Sequence, residues 1–119
     1  MKFISILTID PAAHPHTSPT PETMERMGKL IGEMRAEGAL IDTGGRSPDM
    51  LELFVSRKNG RTTVTDGPFT ESKEVVGGYA LFDAKDRTEA LAWTKRFLEV
   101  LGEGTCHVHE VSQIGRAHV

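Results

Sequence analysis

Val75-Val76-Gly77-Gly78-Tyr79-Ala80-Leu81-Phe82-Asp83 is the run from which the fold is read. Strand side chains alternate between the two faces of a sheet, and here both sets are apolar: Val75, Tyr79 and Leu81 on one side, Val76, Ala80 and Phe82 on the other. A strand apolar on both sides lies centrally in its sheet and is covered on both faces. Gly77-Gly78 inside so strong a strand costs stability. The pair points to a bulge or to a group that approaches the backbone closely, either Trp93 or another core side chain, or a ligand.

Working outward, Lys2 to Ile9 repeats the pattern, with Phe3, Leu7 and Ile9 opposite Ile4 and Ile6. It reads as a second two-sided strand. Its short apolar run, broken by Ser5 and Thr8 and closed by Asp10, is too brief for a secretory leader. Asp10 to Thr20 holds Pro11, Pro15 and Pro19 and is a loop. Thr20 caps the following helix, Pro21 suits its first position, Met24, Met27, Ile31 and Met34 mark its apolar face, and Gly38 ends it. Gly28 and Gly32 weaken this helix alone and imply close packing against the sheet.

Ala39 to Thr43 is a short strand ending at Gly44-Gly45. Met50 to Ser56 and Arg61 to Thr65 form a hairpin about Asn59-Gly60, with the cluster Arg57, Lys58 and Arg61 at its solvated tip. Beyond Asp83, Asp86 and Glu89 have capping-box spacing. Ala90, Thr94, Phe97, Leu98 and Leu101 then mark a helix ending near Gly102, and Thr105 to Val111 is the last strand. The order gives an α+β, ferredoxin-like split βαβ arrangement. It has one antiparallel sheet, both helices on one face and an inserted hairpin. Two helices cover only one face, so the apolar second face is expected to meet a second copy in a symmetric homodimer.

The 119 residues fit a single domain, 1–119, with 38% apolar and 26% charged residues and a net charge of -3. No basic surface favours nucleic acid, no apolar run is long enough to span a membrane, and the single cysteine, Cys106, excludes an internal disulfide. A reducing cytoplasm is the expected location.

Between the hairpin and the central strand lies Asp66-Gly67-Pro68-Phe69-Thr70-Glu71-Ser72-Lys73-Glu74. Asp-Gly-Pro makes a rigid turn and Phe69 anchors it, which on one reading is the motif's whole purpose. On the other, Asp66, Glu71, Lys73 and Glu74 are a catalytic cluster in which a carboxylate beside an apolar cleft acts as general acid or base. Lys73 next to these acids also reads as an ion pair. The run Asp-Gly-Pro-Phe-x-Glu-x-Lys-Glu, followed by Val75 to Tyr79, resembles the signature of the DGPF-type subgroup of the YCII-related family. That resemblance implies ferredoxin-like domains paired into a dimeric α/β barrel, and gene neighbourhoods that suggest an accessory or ligand-sensing role with an extracytoplasmic-type sigma factor. Relatives in the wider family are thought to use a His and Asp pair, for which His14 or His16 with Asp42 is the nearest combination here.

Two His-x-His pairs remain, His14-Pro15-His16 and His107-Val108-His109. Together they contain enough imidazoles for a metal site, but no spacing between the pairs specifies one, so no metal or other cofactor is expected. With Cys106 and Val108 toward the helices, His107 and His109 turn to the dimer-facing side as proton carriers or as plain interface residues. Tyr79 either donates its hydroxyl into a cavity there or sits satisfied in the core. The expected function is a small-molecule enzyme or binder, of cofactor-independent proton-transfer or lyase type. The alternatives are the sigma-factor partner and a purely structural signature.

Overall fold

The computed structural model describes residues 1–10, 20–45, 51–66 and 75–112. Its elements run β1 (Lys2–Ile9), α1 (Pro21–Ala36), β2 (Leu40–Gly45), β3 (Leu53–Lys58), β4 (Arg61–Asp66), β5 (Val75–Asp83), α2 (Arg87–Leu101) and β6 (Thr105–Glu110). Both helices start on side-chain caps. Thr20 Oγ1 accepts from the Thr23 amide at 3.1 Å, and Asp86 Oδ1 accepts from the Glu89 amide at 2.9 Å. Each cap satisfies an amide that the first helical turn leaves without a partner. Gly38 (φ 71°) and Gly102 (φ 87°) take the left-handed conformation that closes each helix.

Four strands form an antiparallel sheet in the order β2-β5-β1-β6, so the strand read as central does lie inside the sheet. The core lies on the helical side, where Phe3, Leu30, Met34, Ala39, Phe82, Ala84 and Ala90 are buried. Phe82 is 2% exposed and its ring stacks 5.8 Å from that of Phe3. Three of these seven residues are alanines, so the core is thin. The apolar face of α1 carries Met27 and Met34 as expected and adds the buried Leu30, whereas Met24, one turn further out, is 63% exposed. Gly28 and Gly32 point away from the sheet, with no atom within 4 Å of where a Cβ would stand. The expected close packing at these glycines is therefore absent.

Two register shifts correct the simple alternation of faces. In β5 the pairing steps from Leu7↔Gly78 to Thr8↔Val76, leaving Gly77 as the extra residue of a bulge. The bulge carries Val76 to the face of Thr8, away from Ala80 and Phe82. The groups close to these glycines are Leu7, 3.3 Å from a Cβ built on Gly77, and the Gly44 carbonyl oxygen, 2.8 Å from one on Gly78. Trp93 is not among them. In β2 the pairing steps from Leu40↔Phe82 to Asp42↔Leu81 and skips Ile41. Leu40 faces the helices, and Asp42, two residues on, faces the other way.

The hairpin β3–β4 forms its own two-stranded sheet around Asn59 (φ 53°) and Gly60 (φ 76°), the paired positive dihedrals of a tight two-residue turn. Its first strand begins at Leu53, three residues later than the sequence pattern places it, and all twelve residues of the two strands are exposed.

Candidate functional site

The open face of the sheet is built from cross-strand rows. Residues directly opposite in antiparallel strands share a face. One row therefore runs Asp42, Leu81, Ile4, His109 and the next Gly44, Tyr79, Ile6, His107. Ile4, Ile6 and Leu81 are half-buried with no helix above them, while Asp42, His107 and His109 are exposed.

Tyr79 and Asp42 are joined by a side-chain hydrogen bond across this face. The Tyr79 hydroxyl donates to Asp42 Oδ2 at 2.7 Å, and Thr43 Oγ1 donates to the Tyr79 carbonyl oxygen at 2.8 Å. Gly44 makes the contact possible. A Cβ on Gly44 would stand 2.7 Å from Tyr79 Cε1, so the ring lies directly over a backbone without a side chain. The Asp42 carboxylate holds the Tyr79 phenol above its ordinary value of 10.0, chiefly through the hydrogen bond, with desolvation and charge repulsion adding to it. At neutral pH Tyr79 is therefore a donor and never a base. Asp42 keeps its second oxygen free of Tyr79 and is fixed in direction, the arrangement expected of a carboxylate that accepts a proton from a bound molecule.

Each residue singled out in the sequence can now be placed. His107 and His109 lie on the open face at its β6 edge, opposite Ile6 and Ile4. Three strand spacings separate them from Asp42 on the β2 edge, roughly 14 Å between Cα atoms. Asp66 ends β4 opposite Leu53 in the exposed hairpin. Gly77 and Gly78 shape the β5 bulge. Gly67, Pro68, Phe69, Glu71, Lys73 and Glu74 lie outside the described residues, as do His14 and His16. Among the described residues no three His, Cys, Asp or Glu side chains gather to hold a metal ion. Cys106 is half-buried, and burial pushes its thiol up from the ordinary value, partly offset by a hydrogen bond with Ser5. It is a poor nucleophile at neutral pH.

The larger concavity lies elsewhere, a groove of about 610 Å³ bounded by the C-terminal end of α1, Trp93 and Arg96. Of its charged side chains Arg96 is already engaged, bound to Glu33 at 2.6 Å and 5.2 Å from the Trp93 ring centroid. That leaves the open face as the better site, because its polar groups are oriented yet serve no core contact. Sequence reading had found Asp42 and Tyr79 separately but not as a pair. The available signal was Gly44, a glycine two positions after the acid at the end of a short strand.

A four-stranded antiparallel sheet in this order, with both helices on one face, defines a ferredoxin-like α+β protein carrying an inserted hairpin. The chain belongs to the YCII-related family, whose domain model matches residues 1–113. No curated protein matches it. No helix among the described residues is long and apolar enough to cross a membrane.

Proposed function

We propose that this chain is a cytoplasmic, DGPF-type member of its family that binds a small organic molecule on the open sheet face and exchanges a proton with it. The observation that carries this reading is the Tyr79 to Asp42 hydrogen bond at 2.7 Å, held over Gly44 on a face with no core of its own. Asp42 serves as the proton acceptor. Tyr79, held protonated, orients that carboxylate and is the donor nearest an oxygen of the bound molecule. Ile4, Ile6 and Leu81 supply the apolar wall that a small ligand needs for most of its contact. The carboxylate disfavours anions, so the ligand class is a neutral or cationic molecule with an acidic C–H or O–H beside an oxygen atom.

The reading includes a second copy of the chain over the open face, since two-sided strands leave apolar surface there that a single chain does not cover. The DGPF assignment rests on the letter-for-letter match from Asp66 to Glu74. No cofactor is required by the proton chemistry described.

The test is a fragment screen by two-dimensional NMR on the labelled protein, preceded by native mass spectrometry for any molecule carried through purification. Hits are expected to shift the amides of Ile4, Ile6, Tyr79 and Leu81 and to lose affinity at least tenfold in Asp42→Asn. Hits that gather instead around Trp93 and Arg96, or that bind Asp42→Asn unchanged, reject the site.

A further inference from the structure

The open face has two chemically different edges. On the β2 side stands Asp42, a carboxylate that only accepts hydrogen bonds once ionised; on the β6 side stand His107 and His109, imidazoles with N–H groups to give. Within one chain the two edges are too far apart to meet, roughly 14 Å across three strand spacings. We infer that the site is composite, with Asp42 and Tyr79 of one protomer completed by the partner's His109 and the partner's His107.

Symmetry supports a second copy of the chain as the occupant. Two sheets meeting face to face about a two-fold axis along the strands place β2 of each protomer beside β6 of the other. Rotation about that axis preserves height along the strands, so each cross-strand row meets the same row of the partner. Asp42 then faces the partner's His109, and Gly44 with the Tyr79 ring faces the partner's His107, twice over in the dimer. An axis across the strands would instead lay β2 over β2 and β6 over β6, so that the acidic edge meets an acidic edge and the histidine edge a histidine edge.

Closure of the sheet points the same way. Among the described residues β2 and β6 are the terminal strands of the sheet, and exposed edges invite further pairing. The axis along the strands brings a β2 edge to a β6 edge at both seams, and eight strands can then curl around a shared interior. The same movement covers Ile4, Ile6 and Leu81, which the helices leave uncovered.

The inference rests on the functional reading above and sharpens it. A molecule in the interior has Asp42 on one side to accept a proton and an imidazole of the other subunit across from it to return one. The proton leaves a C–H or O–H of the bound molecule for Asp42, the electron pair stays on that molecule, and the imidazolium N–H supplies the proton that neutralises it. The overall change is an isomerisation that needs no redox partner.

Cross-linking tests the geometry without any knowledge of the ligand. In a Cys106→Ser background, Asp42→Cys, His109→Cys and the double variant are oxidised or bridged with a short bis-maleimide and run without reductant. Both positions are exposed, and circular dichroism checks that each variant folds. The expected result is abundant covalent dimer from the double variant and from mixed single variants, and little from either single variant alone. An intrachain disulfide is excluded, because two cysteines with Cα atoms beyond about 7 Å cannot be joined directly without backbone movement, and an intrachain maleimide bridge leaves the chain at monomer size. Self-cross-linking of the single variants, or no covalent dimer in any sample, overturns the inference. An isotope-filtered NOE between the labelled Tyr79 ring and an unlabelled partner's His109 provides the independent check, and its absence in the folded protein counts against the composite site. If cross-linking fails while Asp42→Asn still loses the fragments, the site functions within one subunit. If it succeeds while Asp42→Asn binds them unchanged, the dimer stands and the functional reading falls.

Discussion

The two faces of one sheet behave differently although the same strands make both. On β1, Phe3, Ser5 and Leu7 are buried under the helices, while Ile4 and Ile6, the residues between them, are only half-buried. One face is finished within the chain and the other is not. The contrast shows that an apolar strand pattern does not by itself say which of its two faces the chain's own helices cover. It also sets packing apart from chemistry, since the buried core lies on the helical face and the oriented Tyr79–Asp42 pair lies on the open one.

Removing a side chain from each face should break this contrast most visibly. Phe82→Ala takes out a ring that is 2% exposed and stacked on Phe3. Urea denaturation should show a loss of about 3–5 kcal/mol, near the whole stability of a small domain. Ile6→Lys places a charge on the open face instead. Its far-ultraviolet circular dichroism should be that of the parent, while sedimentation at micromolar concentration is expected to show a dimer for the parent and a monomer for the variant. If Ile6→Lys unfolds the chain as Phe82→Ala does, the two faces are not independent.

Gly44→Ala probes the open face at its tightest point. The added methyl would stand 2.7 Å from Tyr79 Cε1, so the ring must swing off its platform and the bond to Asp42 must lengthen or break. Overpacking of this kind costs about 1–3 kcal/mol where neighbours cannot yield. Here the neighbour is a partly exposed ring, so the low end is expected by denaturation. The larger consequence should be in fragment affinity, which should fall as in Asp42→Asn.

Much of this architecture was legible in the sequence. The bounds of β5, both helix caps, the Asn59-Gly60 turn and the element order all follow from local rules: alternation, capping side chains and glycine at positive φ. What escaped reading depends on pairing partners. Gly77-Gly78 did signal a bulge, but its effect on the facing of Val76, and the bulge at Ile41 that reverses Asp42, are settled by the register of two strands together, which neither sequence alone specifies. Without the Ile41 bulge, Asp42 would face the helices and no pairing with Tyr79 would be possible. On α1 the reading extended the apolar face one turn too far, to the exposed Met24, and missed the buried Leu30, because methionine at helical spacing tolerates exposure as well as burial.

Tyr79 offers a direct view of the open face because it is the only tyrosine in the chain. Its phenol is held above the ordinary value of 10.0 by Asp42, so the folded state prefers the protonated form. The stabilisation from this pair is fully present below the unfolded tyrosine value and is lost as pH rises through the higher folded one. Absorbance titration of phenolate should therefore give a midpoint above 10.0 in the parent and a lower one in Asp42→Asn, where the carboxylate charge is gone. Equal midpoints in the two proteins would mean that the pair does not persist in solution.

The smallest expected effect concerns a surface outside both faces. Gly28 and Gly32 lie on the outer side of α1, exposed, with no atom within 4 Å of a built Cβ. Glycine in a helix interior is about 0.5–1 kcal/mol less favourable than alanine, largely because the unfolded chain loses more freedom on folding. Gly28→Ala and Gly32→Ala should each stabilise the protein by that amount and add when combined, with fragment affinity and dimer mass unchanged. The sign of the result decides more than its size. If the double alanine variant were less stable, the outer side of α1 would be covered in solution.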